Sequence, residues 1–448
     1  TSGFDYDVFV YDRITGVTTQ ITQDTVDQTE IQIFGDNVAW VGFDGNDNEI
    51  YVYNLTTGEL VQVTDNAIND TDLDMSESHL TWVSNTGGSS TGGTVNTPAT
   101  WRWNQQSANA LALHSNPGAP YVIYLDFDGH TTSGMQWNTD YNGGQDIVSP
   151  AWDTDGDPTT FSLSERQIIA QTWASVAEDF APFNVDVTTE EPSLATLQGS
   201  GVRVVISPEV WTNKLPTTTV GIAYLNSFDD TADTPCFVLS DKLNAADFRE
   251  TVSHEVGHTL GLSHDGDAQN AYYPSRGDGV IDWGTIMGDS HYSDISQWND
   301  GDYSGANNQE DDIQIIAQMI GFRADDHGNS MLNATNITIT ENSDLAYGII
   351  GSDTDDDWFR VSLEQGNYSF NIDPFSFRPN LDIQATLYNS TGGIVASSNP
   401  YDSLGARLQA NITTPGQYYI RVTGVVLVFT ETAAYYVYGS SVQYEILL

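Results

Sequence analysis

The stretch His254-Glu255-Val256-Gly257-His258-Thr259-Leu260-Gly261-Leu262-Ser263-His264 decides the reading of this 448-residue chain. His254 and His258 are four residues apart, so on a helix their imidazoles project from one face, one turn apart, close enough to share one ion. Glu255, next to the first histidine, can reach the position where a metal-bound water needs a base. Gly261 lacks a Cβ and can take the left-handed conformation that ends a helix, which turns the chain and brings His264 back to the same ion. Three neutral imidazoles leave a fourth position for water, which separates a catalytic zinc from a closed structural one. The competing reading is a helix with histidines on its polar face, and the glycine and third histidine at their fixed offsets argue against it.

Downstream, Gly284-Thr285-Ile286-Met287-Gly288 places Met287 23 residues after His264 (287 − 264). The helix and this segment together resemble the metzincin metallopeptidases, in which an extended zinc helix is followed by a tight turn with a methionine beneath the metal. The resemblance implies Zn²⁺ held by His254, His258 and His264, Glu255 as general base and acid, and hydrolysis of peptide bonds in protein or peptide substrates. It also implies an edge strand that pairs with extended substrate, here within Gly221 to Phe228, with Gly221, Ile222, Ala223 and Tyr224 at its start. Several metzincins carry a tyrosine two residues after the methionine; position 289 is Asp here. Tyr292 is the nearby candidate for oxyanion support, set against a purely structural place for it. Asp265 resembles an adamalysin-type continuation and is expected to anchor the loop rather than bind metal.

The surrounding pattern predicts an α+β catalytic domain, a metzincin-like mixed β-sheet with an active-site helix and a methionine turn. Tyr121 to Phe127 reads as a buried strand, and Ser164 to Phe180 carries Ile168, Ile169, Trp173, Val176, Ala177 and Phe180 at helical spacing. Short strands are expected at Val185 to Thr189, Val202 to Ser207, Gly221 to Phe228 and Cys236 to Leu239. Asn244 offers a cap to the zinc helix, and a last helix is expected around Asp311 to Ile320.

Composition sets the surroundings. With 13 Lys+Arg against 62 Asp+Glu, a formal charge of −49 makes phosphate backbones and anionic membrane surfaces poor partners, which excludes nucleic acid. Aspartate-rich loops suit Ca²⁺, and a salty habitat would favour the same surface. Asp153-Thr154-Asp155-Gly156-Asp157 is the first calcium candidate, through Asp153, Asp155 and Asp157, although the glycine comes early and Ser164 stands where an EF-type loop has glutamate. Asp353-Thr354-Asp355-Asp356-Asp357 reads either as another site or as a solvated turn, and the charge run favours the turn. The single Cys236 cannot form an internal disulfide and reads as a small buried residue, with a zymogen-silencing ligand as the alternative. No stretch has the ~20 apolar residues of a membrane span, no signal peptide follows Thr1, and secretion is expected of a mature or trimmed chain.

All-β modules flank this core. Asp7-Val8-Phe9-Val10-Tyr11-Asp12-Arg13-Ile14-Thr15-Gly16 recurs as Glu49-Ile50-Tyr51-Val52-Tyr53-Asn54-Leu55-Thr56-Thr57-Gly58, an offset of 42 residues (49 − 7), and Val38-Ala39-Trp40-Val41 recurs as Leu80-Thr81-Trp82-Val83. These repeats resemble β-propeller blades, and residues 1–84 read as a truncated propeller, a docked sheet module, or a pro-region covering the cleft. Residues 85–110 are expected to be a flexible linker, 111–326 the catalytic domain and 327–448 a β-sandwich. Asp356-Asp357-Trp358-Phe359, Leu381-Asp382 and Gly416-Gln417-Tyr418-Tyr419-Ile420-Arg421-Val422 resemble prepeptidase C-terminal domains of secreted bacterial peptidases. The alternative to a secreted zinc endopeptidase is a non-catalytic or latent extracellular binding or adhesion protein built on the same core.

Overall fold

The computed structural model describes residues 6–11, 18–22, 26–34, 37–43, 45, 47–55, 60–64, 69–75, 80–85, 96–101, 110–208, 215–216, 218–243, 247–274, 276–277, 281–291, 293–339, 344–352, 354–374, 379–401, 403–425, 428–430, 433–434 and 443–447. The chain divides into two compact units, Thr1–Ser107 and Ala108–Leu448.

In the first unit, antiparallel strands follow one another in sequence order. Thr29–Phe34, Asn37–Phe43, Asn48–Asn54 and Leu60–Gln62 form one sheet, and Asp70–Met75, Leu80–Asn85 and Asn96–Trp101 another. Successive side chains of a strand point to opposite faces, and in Asn37–Phe43 both faces are covered. Ala39 and Val41 pack with Ile50, Val52, Leu73 and Trp82, whereas Val38 and Trp40 pack with Val8. Of the 42-residue repeat, Val38–Val41 and Leu80–Val83 take like places, each in the second strand of its sheet with an antiparallel neighbour on both sides. A closed ring of propeller blades is not among the described residues. The expected linker is corrected in part: Asn96–Trp101 pairs in register with Leu80–Asn85, satisfying backbone groups that would otherwise form an open edge. The rest of 86–109 lies outside the described residues.

The second unit contains, in chain order, β1 (Tyr121–Asp126), α1 (Leu163–Asp179), β2 (Val185–Thr188), β3 (Gly201–Ser207), β4 (Gly221–Ile222), β5 (Cys236–Leu239), α2 (Asp247–Thr259) and α3 (Asp312–Ile320). The sheet order is β2-β1-β3-β5-β4, parallel except for the antiparallel edge strand β4. A parallel sheet is covered on both faces, which is why β1 and β3 are nearly continuous apolar runs. Ile123, Val187 and Val204 share one core with Ile169, Trp173 and Val176 of α1 and with Phe248, Val252 and Val256 of α2. α1 starts at a capping box: Ser162 Oγ accepts from the Glu165 amide and Glu165 Oε2 accepts from the Ser162 amide at 2.8 Å. One of the few cations, Arg203, is buried and bridges Asp126, Glu191 and Asp233 at 2.6 to 3.0 Å, tying β1 to β3 and to the loop before β5.

Beyond α3, two sheets enclose a second core. One has the order Thr335–Asn336, Asp357–Leu363, Gly416–Gly424, Ile383–Asn389, Ile394–Ser398; the other Asp344–Ile349, Gln443–Leu447, Gly366–Pro374, Ala406–Ile412. Alternation fills the space between them: Phe359, Val361 and Leu363 from one face meet Phe370, Ile372 and Leu408 from the other. This sandwich is packed on the mixed α and β core. Ala181, just after α1, joins the sandwich core, and Leu404 packs against the cluster of Tyr273, Trp283 and Tyr303. The expected solvated turn at 353–357 is corrected, since Asp355 and Asp357 are 8% and 0% exposed. Asp353 lies outside the described residues. The described residues thus combine a mixed α and β region with further all-β sheets, in line with the expected fold class.

Candidate active site

α2 ends in a left-handed cap. Gly261 has φ +104°, and the amides of Gly261 and Leu262 return to the carbonyls of His258 and Gly257 at 3.0 Å each. A Cβ at Gly261 would also stand 2.6 Å from Asn226 Oδ1. This cap redirects the chain so that the ligand atoms of His254, His258 and His264 all lie within 4.8 Å of one another. Two tautomers are fixed by geometry. His254 Nδ1 donates to Ile286 O and His258 Nδ1 donates to Leu262 O, each at 2.8 Å, and a carbonyl can only accept. Their Nε2 atoms therefore carry lone pairs turned inward, with His264 Nε2 2.9 Å from that of His258. Burial and the neighbouring imidazoles hold His254 well below the usual histidine range, burial lowers His258, and burial with the nearby His258 takes His264 to about 4. The inward lone pairs of His254 and His258, with the His264 ring beside them, suit a divalent cation, so the residues present fit zinc.

Glu255 is 5% exposed, its Oε2 has no hydrogen-bond partner, and burial pushes its carboxyl up to about 8. It faces β4 across a space that only glycine leaves open, since a Cβ at Gly221 would come 2.7 Å from Glu255 Cγ. Gly221→Ala is therefore expected to displace Glu255 and reduce kcat at least ~10-fold at unchanged zinc content, as peptide hydrolysis and metal analysis would show. Unchanged kcat would mean that the carboxylate does not depend on this contact.

These groups lie in a cleft of about 650 Å³, bounded by α2, by Val220 to Ala223 and by Ile286 to His291. Gly221 and Ile222 form the edge strand. The strand expected to continue to Phe228 is shorter, because the amides of Asn226 and Phe228 bond instead to His258 O and Thr259 O at the end of α2. Ala223 lines the cleft, whereas Tyr224 turns away to stack on Trp137 and donate to Asp140 Oδ2 at 2.8 Å. Met287 is fully buried against Gly257 of α2. Asp265 joins this turn to the third-histidine loop: its amide donates to Met287 O at 2.9 Å and its carbonyl accepts from Tyr273 at 2.7 Å.

Tyr292 and Asn244 lie outside the described residues. Among the described residues the phenol lining the cleft is that of Tyr272, whose ring centroid is 4.5 Å from that of His264. Sequence reasoning missed it; the only signal was an aromatic pair, Tyr272-Tyr273, between the third histidine and the methionine. The calcium trio Asp153, Asp155 and Asp157 is brought together only in part. Asp153 and Asp155 cluster with Glu165 instead, while Asp157 is turned toward Thr159 and Thr160. Backbone amides already occupy this loop's carboxylates, three of them on Asp153 Oδ1. Cys236 is fully buried within β5, and burial raises its thiol well above the usual range. It belongs to the core.

The Met-zincin family profile matches residues 237–285, from β5 through α2 to just short of Met287. The chain is similar to Metalloprotease AprA of Pseudomonas entomophila (strain L48), 26% identical over 172 residues that cover 33% of this chain and 32% of that protein. The chain thus spans about a third of that curated relative's length. Both similarities support a metzincin-type metalloprotease. A solved pre-peptidase C-terminal domain of a collagenase from Bacillus anthracis also matches, at 16% identity and a TM-score of 0.17, covering 25% of this chain and 92% of that one. A similarity at that score carries no weight for the sandwich. Among the described residues no helix is long and apolar enough to cross a membrane.

Proposed function

We propose that the chain is a secreted zinc endopeptidase that cuts extracellular proteins, with Glu255 as general base and acid. The observation that carries this reading is the pair of inward Nε2 lone pairs, fixed by the Nδ1 bonds of His254 and His258, beside the buried Glu255 at the floor of an open cleft. His254, His258 and His264 would hold a zinc ion, which would supply Lewis-acid chemistry toward the scissile carbonyl and the attacking water. Glu255 takes the proton of the attacking water on its free carboxylate oxygen and passes it to the leaving amine. β4, at the sheet edge, offers backbone groups to an extended substrate strand, which suits internal cuts in many sequences. To Tyr272, whose ring lies beside His264 in the cleft, the reading assigns support of the substrate carbonyl. A purely binding role fits poorly with a complete set of ligands and a base in one cleft. Mass spectrometry of casein digests tests the reading: internal fragments that vanish with chelator and return with zinc support it, and an intact substrate at full zinc occupancy contradicts it.

Structural calcium belongs to the same proposal, at Asp325, Asp355 and Asp357 rather than at the loop before α1. The support is that Asp355 Oδ1 and Asp357 Oδ1 are buried without a hydrogen-bond partner, a costly arrangement unless a cation completes it. Added calcium is expected to raise the melting temperature of the sandwich by several degrees, and Asp357→Asn to remove that rise. Equal calcium responses in both proteins would rule the site out.

A further inference from the structure

We infer that the C-terminal sandwich supplies a positioning residue, Asn380, that holds the zinc helix in register through Asp179 and Ser253. This inference rests on reading the cleft as a zinc site. Asn380 is 1% exposed and sits in the segment leading into the strand Ile383–Asn389. Its Nδ2 donates to Asp179 Oδ1 at 2.8 Å, and its backbone carbonyl accepts from Gln297 Nε2 at 2.7 Å. Asp179, the last residue of α1, is 2% exposed. Its other carboxylate oxygen accepts a short hydrogen bond from Ser253 Oγ, and its backbone carbonyl accepts from Trp298 Nε1 at 2.8 Å. Ser253 is fully buried and immediately precedes His254. A chain of two side-chain hydrogen bonds therefore leads from the sandwich to the residue beside the first metal ligand.

The geometry gives this chain a directional role. His254 is held from the cleft side by Ile286 O, so its helix needs a second fixed point to set its rotation and height. Asp179 provides that point, and a buried carboxylate needs donors on both oxygens to keep one orientation. Ser253 supplies one donor and Asn380 the other. One turn earlier on the same helix, Glu250 accepts from Ser290 Oγ at 2.7 Å, and Ser296, next to Gln297, lies 3.4 Å from Asn380 Oδ1. Asn380 thus touches two neighbours of α2, the end of α1 through Asp179 and the strand that carries Ser296 and Gln297. Without Asn380, Asp179 Oδ1 loses a donor, and its hold on Ser253 is loosened.

The test compares full-length wild type with Asn380→Ala, Ser253→Ala, the double variant, and Leu387→Ala, which weakens the sandwich core away from the network. Four readouts apply: metal affinity by chelator competition with Co²⁺, the visible spectrum of the cobalt protein, amide exchange of residues 247–259 without metal, and kcat and KM. Asn380→Ala is expected to weaken Co²⁺ binding roughly 5- to 10-fold, in the range for groups behind a ligand. It should also shift the cobalt spectrum, speed exchange in α2 and lower kcat about tenfold with KM within about twofold. The double variant should show no more loss than the worse single one, because both cut the same chain of bonds. Leu387→Ala should lower the melting temperature and leave the cobalt spectrum unchanged. Wild-type affinity, spectrum and exchange in both Asn380→Ala and Ser253→Ala would overturn the inference, as would the same spectral shift in Leu387→Ala. If the wild type binds Co²⁺ but cuts nothing, the peptidase reading fails while affinity, spectrum and exchange still decide the role of Asn380.

Discussion

Substituting Glu255 with glutamine is expected to abolish peptide hydrolysis and leave one zinc per chain. The change removes a proton acceptor and keeps the volume of a side chain that is 5% exposed, so neither the cleft nor the three imidazoles should shift. Glu255 makes no hydrogen bond through Oε2 and no ion pair that holds the fold together, which is what a group reserved for proton transfer looks like. General acid–base catalysis contributes roughly 10²- to 10⁴-fold, so kcat should fall by at least that range in Glu255→Gln. Steady-state kinetics alongside metal analysis checks it. A variant that kept its zinc and a tenth of wild-type kcat would remove Glu255 from the mechanism.

His258→Ala is expected to lose the metal along with the activity. The ring is fixed at Nδ1 by Leu262 O and faces His264 at 2.9 Å, so its removal takes away one ligand and the group that sets the spacing of another. Changes to a ligand's hydrogen-bond partners cost roughly 10- to 100-fold in affinity, and loss of the ligand itself should exceed ~100-fold. Equilibrium dialysis against a zinc buffer reads this directly. The fold should persist, because the carbonyls that end α2 are capped by the amides of Gly261 and Leu262. Affinity within tenfold of wild type would mean that the ion is held elsewhere.

The part of this molecule legible in the sequence is the part whose information is local. The four-residue spacing of His254 and His258 follows from the helix period, and the turn at Gly261 from its missing Cβ. The site's remaining geometry comes from contacts distant in sequence. β4 stops at Ile222 because Asn226 and Phe228 spend their amides on the end of α2, and no period announces that. Tyr272 enters the cleft through the path of the loop after His264. The run at 353–357 looked like a solvated turn because charge patterning does not report burial, yet Asp357 is fully buried and bonded to Tyr444 at 2.7 Å. Asn380 shows no motif at all. Its role depends on Asp179, 201 positions earlier in the chain.

Gly221 belongs to the same group of long-range features. A glycine at the start of a short strand would ordinarily be read as a turn residue or a weak strand position. The neighbour that explains it, Glu255, lies on α2, and only the assembled sheet and helix bring them within contact. The site is thus a local metal motif completed by a sheet edge, a methionine turn and a buried residue from the sandwich.

Zinc titration of the metal-free chain, followed by hydrolysis of a quenched peptide, tests the central claim most directly. Activity should be absent without metal, rise linearly with added zinc and break at one equivalent per chain. Activity in the metal-free protein, or one bound zinc with no hydrolysis of any peptide in a broad library, would contradict it.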